Sequence, residues 1–260
     1  MELPLHFSVL GPVRARCHLT ELEIGPRQQR QTLAALLLGS GSFVSVDELI
    51  YAVWGDRPSR SAVNSLRIYV HRLRAAFAPF APSLIRSLGG GYELAGAHHL
   101  DLRDLEAGLE AAAAARAAEE HAEAVTHTRS ALDLWRGRPL AGLAGVWAQG
   151  QRQRIENLRL TAIGDLAAGL LRLGRPESVI ALVGTTISEH PFDERVRELL
   201  MLAFHQAGRT AEALRVYRET RILFINELGI ELGPGLQRLH RQMLDPDAFS
   251  PSLIPAFRTT

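Results

Sequence analysis

The sequence predicts a mainly α-helical chain with a small β component, built as two successive domains. Three observations carry that expectation. A helix-period stretch at residues 61–77 has one apolar and one basic side, and a glycine-turned ribbon follows it. Beyond residue 100 the apolar residues recur at helical spacing almost without break. Within that second half, a helix–turn–helix pattern repeats after 34 residues, at Gly174-Arg175 and Gly208-Arg209.

The first elements are short β-like pieces at 5–10 and 19–24, broken at Gly11-Pro12, which suit a small sheet against helices. Cys17 falls between them and reads as a surface residue. A first helix runs through Gln28, Gln29, Arg30 and Gln31, with Leu33, Leu36 and Leu37 inward and Gly39 to Gly41 ending it. Ser45 followed by Glu48 spells a capping box that opens a second helix, whose apolar side is Leu49, Ile50, Val53 and Trp54. Residues 55–58 form a turn. In the third helix Val63, Leu66, Val70, Leu73 and Phe77 make the core stripe, and Ser59 and Ser61 are candidate caps. Arg60, Asn64, Arg67 and His71 make a polar stripe beside it. A hairpin around Gly89–Gly91 closes the series.

Helix, helix, turn, helix, ribbon is the order of a winged helix-turn-helix, whose third helix enters the major groove. Six arginines lie between residues 57 and 86 with no Asp or Glu among them. Solvated helix faces ordinarily mix both signs, so this run points to phosphates. Asn64 and Arg67 are the candidate base readers, since amide and guanidinium match purine edges in pairs; Arg60 and His71 flank them. Arg57, Arg72 and Arg74 are candidate phosphate anchors. Arg86, Gly90 and Gly91 would form the wing; Trp54 and Tyr92 are residue types that more often fill a core, though both rings could also pack beside the backbone.

These pieces resemble a known family. Leu10-Gly11-Pro12, Val53-Trp54-Gly55, residues 69–74 and Gly90-Gly91-Tyr92 are similar to the OmpR-type winged-helix domain, a two-component-like effector domain. More narrowly they resemble the version in the Streptomyces antibiotic regulatory proteins. Leu132, Trp135, Gly137, Pro139 and Leu140, then Pro191 to Arg195, Gly208, Arg209 and Tyr217, and Glu227 to Gly229, resemble that family's bacterial transcriptional activation domain. One departure is the Gln28–Gln31 run, where the family often carries a lysine. The resemblance implies a transcriptional activator that binds direct repeats near a promoter −35 element as a head-to-tail pair. It also implies recruitment of RNA polymerase through its sigma factor, and control of antibiotic biosynthesis. The domains would span 1–96 and 97–246, with a tail at 247–260. By the same resemblance, a chain that ends soon after the activation domain would be one of the short, single-function members.

Composition narrows the alternatives. Hydrophobic residues make up 47% of 260, ample for folded cores. No apolar run approaches ~18 residues, so no membrane span is expected, and the start lacks the basic, then apolar, order of a signal peptide. A single cysteine forms no internal disulfide, which suits a cytoplasmic protein. All 29 basic residues are arginine. Without lysine there is no Walker-type phosphate loop and no Schiff-base amine.

Net charge is +1, yet residues 1–95 carry ten arginines against seven acids, and the remainder nineteen against twenty-one. His98, His99, His121 and His127 lack partners at ligand spacing, and no nucleophile elbow is legible. No enzyme, metal or cofactor is expected. The second half reads as a tetratricopeptide-like stack, with Trp147 to Leu173 bending at Gly164 or Gly169. The rival reading is a tetratricopeptide-like module for a protein or effector, its N-terminal half an accessory.

Overall fold

The computed structural model describes residues 4–39, 43–96 and 98–245. Gly41, Pro246, Asp247 and the tail from 247 lie outside them, so the expectations placed there are not addressed. The chain divides into two compact units, Met1–Ala107 with Asp133–Leu158, and Gly108–Leu132 with Arg159–Thr260. Packing thus assigns residues 133–158 to the first unit, although they follow residues 108–132 of the second.

The first unit opens with β1 (Leu5–Ser8), β2 (Arg14–Cys17) and β3 (Thr20–Leu22), an antiparallel meander. A later strand, β7 (His98–Leu100), adds to β1 in parallel and completes the order β3-β2-β1-β7. Alternation sets the inner face: Leu5 pairs Cys17 and Phe7 pairs Ala15, all buried. Cys17 is therefore a core residue, 3% exposed, and not the surface residue expected. The intervening strand β2 was unreadable because its sequence, Arg-Ala-Arg-Cys, offers only small apolar side chains between arginines.

Three helices pack beneath. In α1 (Arg27–Leu38), Leu33, Leu36 and Leu37 are buried. The capping box of α2 (Val46–Trp54) forms as spelled: Glu48 N–H donates to Ser45 Oγ, and Ser45 N–H to Glu48 Oε2 at 2.8 Å. The third helix, α3 (Ala62–Phe77), buries Ala62, Leu66, Val70, Leu73 and Phe77. Val63 is 40% exposed, which corrects its placement in the core. Ala62 takes that place because Leu66 lies four residues on, whereas Val63 follows the spacing of Arg67. Ser59 and Ser61 hydroxyls bond each other at 3.1 Å rather than capping the helix. A second sheet, β4 (Val44–Ser45), β5 (Ile85–Leu88) and β6 (Gly91–Leu94), runs in the order β4-β6-β5.

Residues 133–145 are irregular and pinned to the first sheet. Arg136 N–H donates to Leu10 O at 2.8 Å and Leu140 N–H to Val9 O at 3.0 Å. Asp101, first residue of α4 (Asp101–Ala117), accepts from Val9 N–H at 2.8 Å and Leu10 N–H at 3.1 Å. Its burial raises the carboxyl pKa against the pull of those donors. Buried Arg152 holds the carbonyls of Pro139, Leu140 and Leu143.

The second unit takes α5 (His121–Leu132), the later part of α6 (Val146–Arg172), α7 (Pro176–Glu189), α8 (Glu194–Gln206), α9 (Thr210–Leu228) and α10 (Pro234–Leu244). Helix α6 runs unbroken through Gly164 and Gly169. At Gly169 the missing side chain has a packing use: a Cβ there would meet Val125 Cγ2 at 2.7 Å, so its absence lets α5 approach.

The 34-residue repeat is real in backbone detail. Gly174 has φ +65° and Gly208 +75°. Arg175 N–H donates to Leu170 O at 2.9 Å, and Arg209 N–H to Phe204 O at 2.8 Å. Val179, Val183, Leu199 and Ala213 are fully buried between the helices, as a tetratricopeptide-like stack requires. Asp165 ties two arginines, Arg195 at 2.9 Å and Arg116 at 3.3 Å.

Candidate nucleic-acid interface

One helix face concentrates the candidate residues. Because Leu66, Val70 and Leu73 point inward, Asn64, Arg67 and His71 emerge together on the outer side of α3, with Arg60 in the turn just before it, and all four are exposed. Arg57 and Arg72 are exposed too. Among the described residues, no ion pair engages Arg57, Arg60, Arg67, Arg72 or Arg86. The α3 first turn carries no acid, so its N-terminal partial positive charge adds to the arginines. Such a face attracts phosphates and offers Asn and Arg to base edges.

The sequence reading missed two members of this face. Val63 and Ile68, both exposed, stand among the polar residues. Apolar side chains at such positions can meet the thymine methyl group. For Ile68 the signal was present in its spacing, since it falls off the Leu66–Val70–Leu73 stripe; Val63 stands three residues before Leu66, a spacing that fits either side.

Trp54 and Tyr69 stack with centroids 6.2 Å apart at 17°. Tyr69 OH donates to Gln28 Oε1 at 2.7 Å, which fixes the ring pair to α1. Trp54 is half-buried and stays at the surface beside Arg57. The two border a cavity of about 370 Å³ that Arg27 also lines. Arg27 is thus a second cation beside Arg57 on that cavity, which Asp56 also lines; it was overlooked because it precedes the first helix's apolar pattern.

The wing is a tight hairpin. Arg86 pairs Glu93, Ser87 pairs Tyr92 and Leu88 pairs Gly91, leaving Gly89 and Gly90 as a two-residue loop. Gly90 has φ +87°, a backbone state that glycine adopts at no steric cost. Its carbonyl accepts from Val46 N–H at 2.9 Å, so the turn is pinned to the start of α2. Gly91 is buried against β4: a Cβ there would overlap the Val44 carbonyl oxygen and the Phe43 ring. Close packing, not a groove contact, explains Gly91. Arg86 is exposed with Glu93 directly across the ladder, an acid that lies just beyond the acid-free run.

Arg74 also departs from expectation. Half-buried, it donates from Nε to Ile85 O at 2.9 Å and from Nη2 to Ser87 Oγ at 2.8 Å. Its guanidinium is spent on the hairpin, with Tyr92 beneath it. Elsewhere, among the described residues, no three His, Cys, Asp or Glu side chains converge as a metal site. No helix of those residues is long and apolar enough to cross a membrane.

A three-helix core, a hairpin wing and an outward basic helix define the class of winged-helix transcriptional regulators. The comparisons narrow that class. Residues 100–244 match the family model described as bacterial transcriptional activator domain. Residues 20–94 match the one described as transcriptional regulatory protein, C terminal. The regulatory protein AfsR of Streptomyces coelicolor is 41% identical over 245 residues, 94% of this chain and 24% of that protein. The regulatory protein DnrI of Streptomyces peucetius is 30% identical over 253 residues, covering 94% and 93%. A solved structure of Mycobacterium tuberculosis EmbR in complex with a low affinity phosphopeptide superposes with TM-score 0.89 at 29% identity, over 94% of this chain and 66% of that one.

The chain belongs to the Streptomyces antibiotic regulatory protein family. It spans 24% and 25% of the length of the AfsR proteins from S. coelicolor and Streptomyces griseus. The relatives named here are regulatory proteins, not enzymes.

Proposed function

We propose that this chain is a cytoplasmic, sequence-specific DNA-binding activator that reads the major groove with the outer face of α3. Asn64 and Arg67 contact base edges, Arg60 and His71 flank them, and Arg57 and Arg72 hold phosphates. Arg86 reaches the backbone from the wing. Two protomers occupy direct repeats head-to-tail about one helical turn apart, near the −35 element. The helical half then recruits RNA polymerase through its sigma factor, at promoters of secondary-metabolite genes. DnrI and the transcriptional regulator RedD of S. coelicolor, 29% identical over 253 residues, support this reading by relationship.

The observation that carries it is the exposed, acid-free flank of α3, whose arginines no carboxylate neutralises among the described residues. The test is an anisotropy titration on promoter DNA at several salt concentrations. Arg67→Ala costs about 1–3 kcal/mol on the cognate site and relaxes specificity. Arg72→Ala weakens all sequences alike and lowers the salt slope by about one. The rival reading, a tetratricopeptide-like protein- or effector-binding module, requires both variants to bind as wild type does.

A further inference from the structure

A cavity of about 580 Å³ opens in the first unit, and no residue of α3 lines it. Three aromatic rings border it, from three elements: Phe43 just before β4, Tyr51 on α2 and Trp147 on α6. Phe43 and Tyr51 leave 44% and 40% of their surface open. Asp47 and Glu48 of α2 border the same space, and among the described residues no arginine or histidine does. Glu48 is committed to Ser45 and held ionised by it. Asp47 has no hydrogen bond or ion pair among the described residues. Gln151 of α6 adds a side-chain oxygen that is buried and unpartnered.

Each feature asks the same thing of an occupant. An orphaned acceptor needs a donor, since buried polar atoms in native proteins are almost always satisfied. An exposed carboxylate without an ion-pair partner is free to attract a cation that enters beside it. Aromatic faces attract cations through their quadrupole and apolar bodies through burial. The volume lies in the ~300–1,000 Å³ range of small-ligand pockets.

We propose that this cavity binds an organic cation with an apolar body, its ammonium or guanidinium head between Asp47 and the Gln151 oxygen and its hydrocarbon among Phe43, Tyr51 and Trp147. The site is separate from the DNA-reading face. Its occupant would join α2 of the helix-turn-helix to α6.

The test is a calorimetric and tryptophan-fluorescence titration of the full chain with phenethylammonium, against 2-phenylethanol as neutral isostere. The ammonium binds saturably and at least about tenfold more tightly than the alcohol. Asp47→Asn, an isosteric change in an exposed first turn, removes that preference while circular dichroism stays unchanged. Gln151→Leu weakens the ammonium but not benzyltrimethylammonium, which has no N–H to donate. Acetyl-Phe-Arg-amide separates the sources: tighter binding than the free amine assigns the site to a partner's side chain, and weaker binding to a metabolite. No saturable binding of either cation, equal binding of the alcohol, or an unaffected Asp47→Asn overturns the proposal. No DNA enters these measurements, so their outcome is independent of the function proposed above.

Discussion

Arg74 lies over the ring of Tyr92, its guanidinium carbon 5.7 Å from the centroid, so one side chain of α3 grips the wing. With its bonds to Ile85 O and Ser87 Oγ it touches both hairpin strands. Arg74→Ala leaves a buried carbonyl short of its donor and loses about 1–3 kcal/mol of stability in a urea titration. Arg74→Lys keeps the charge but lacks the planar fork that serves two acceptors at once. It therefore restores little stability. Were Arg74 a phosphate anchor only, Lys would restore DNA affinity and neither change would move the urea midpoint.

Gln31 joins three segments of the first unit from inside. It is 2% exposed, and its Nε2 donates to Ala52 O at the end of α2, at 2.6 Å, and to Ala144 O in the loop before α6, at 2.8 Å. Gln31→Leu fits the volume but strands the buried Ala52 carbonyl, while that of the exposed Ala144 can turn to water. The expected loss is about 1–3 kcal/mol per buried acceptor left unpaired, measured by denaturant unfolding. Gln31→Glu should be worse, because its carboxylate repels both oxygens; equal stability for the two variants would argue against the hydrogen bonds.

How much of this was legible in sequence follows from what kind of force sets each feature. Periodicity of burial is local, so Leu33, Leu36 and Leu37 and the α3 stripe from Leu66 on could be read directly, as could the Ser45–Glu48 box. Val63 was misplaced because a three- or four-residue spacing admits two neighbouring stripes, and only the packing of α3 against α1 and α2 chooses Ala62. Strand β7 and the pinning of residues 136–141 to Val9, Leu10 and Gly11 are pairings between distant segments, which no local pattern announces. The same applies to the interface. Exposure of Asn64, Arg67 and His71 followed from the stripe, but the inward turn of Arg74 depends on where the hairpin lands. Gly91 looked like a turn residue; its φ is ordinary, and the close approach of Val44 and Phe43 is what requires glycine there.

The two repeat turns make a paired prediction. Gly174 and Gly208 both sit in the left-handed region, and nothing lies within 4 Å of a Cβ placed on either. Strain alone, not a clash, should therefore decide the cost. Gly174→Ala and Gly208→Ala each destabilise by about 1 kcal/mol, and to the same extent, because each turn closes through equivalent hydrogen bonds. Gly174→Asn and Gly208→Asn should cost less, since Asn tolerates that conformation. A large inequality between the two sites in thermal denaturation would mean that the repeats are not equivalent units.

His240 lies flat on Tyr217, with ring centroids 3.9 Å apart at 11°. Burial pushes its imidazole below the usual value of 6.5, and burial does the same to His205. A ring that folding keeps neutral binds fewer protons folded than unfolded. The stability tied to it is present above 6.5 and is lost as pH falls through that value toward the depressed one. Asp165 and Glu198 run the other way: burial raises both, so their contribution falls as pH rises above the usual carboxylate range. A single pH profile mixes these opposing slopes, and a variant isolates one of them. His240→Phe retains a flat ring on Tyr217 and does not titrate. Between about pH 7.5 and about pH 5.5 its denaturation midpoint should fall less than that of the parent chain, with the carboxylate slopes cancelling in the difference. Parallel profiles for the two proteins would show that His240 is protonated in the folded state as easily as in the unfolded one, and that the stacked ring is no pH-sensitive joint between α9 and α10.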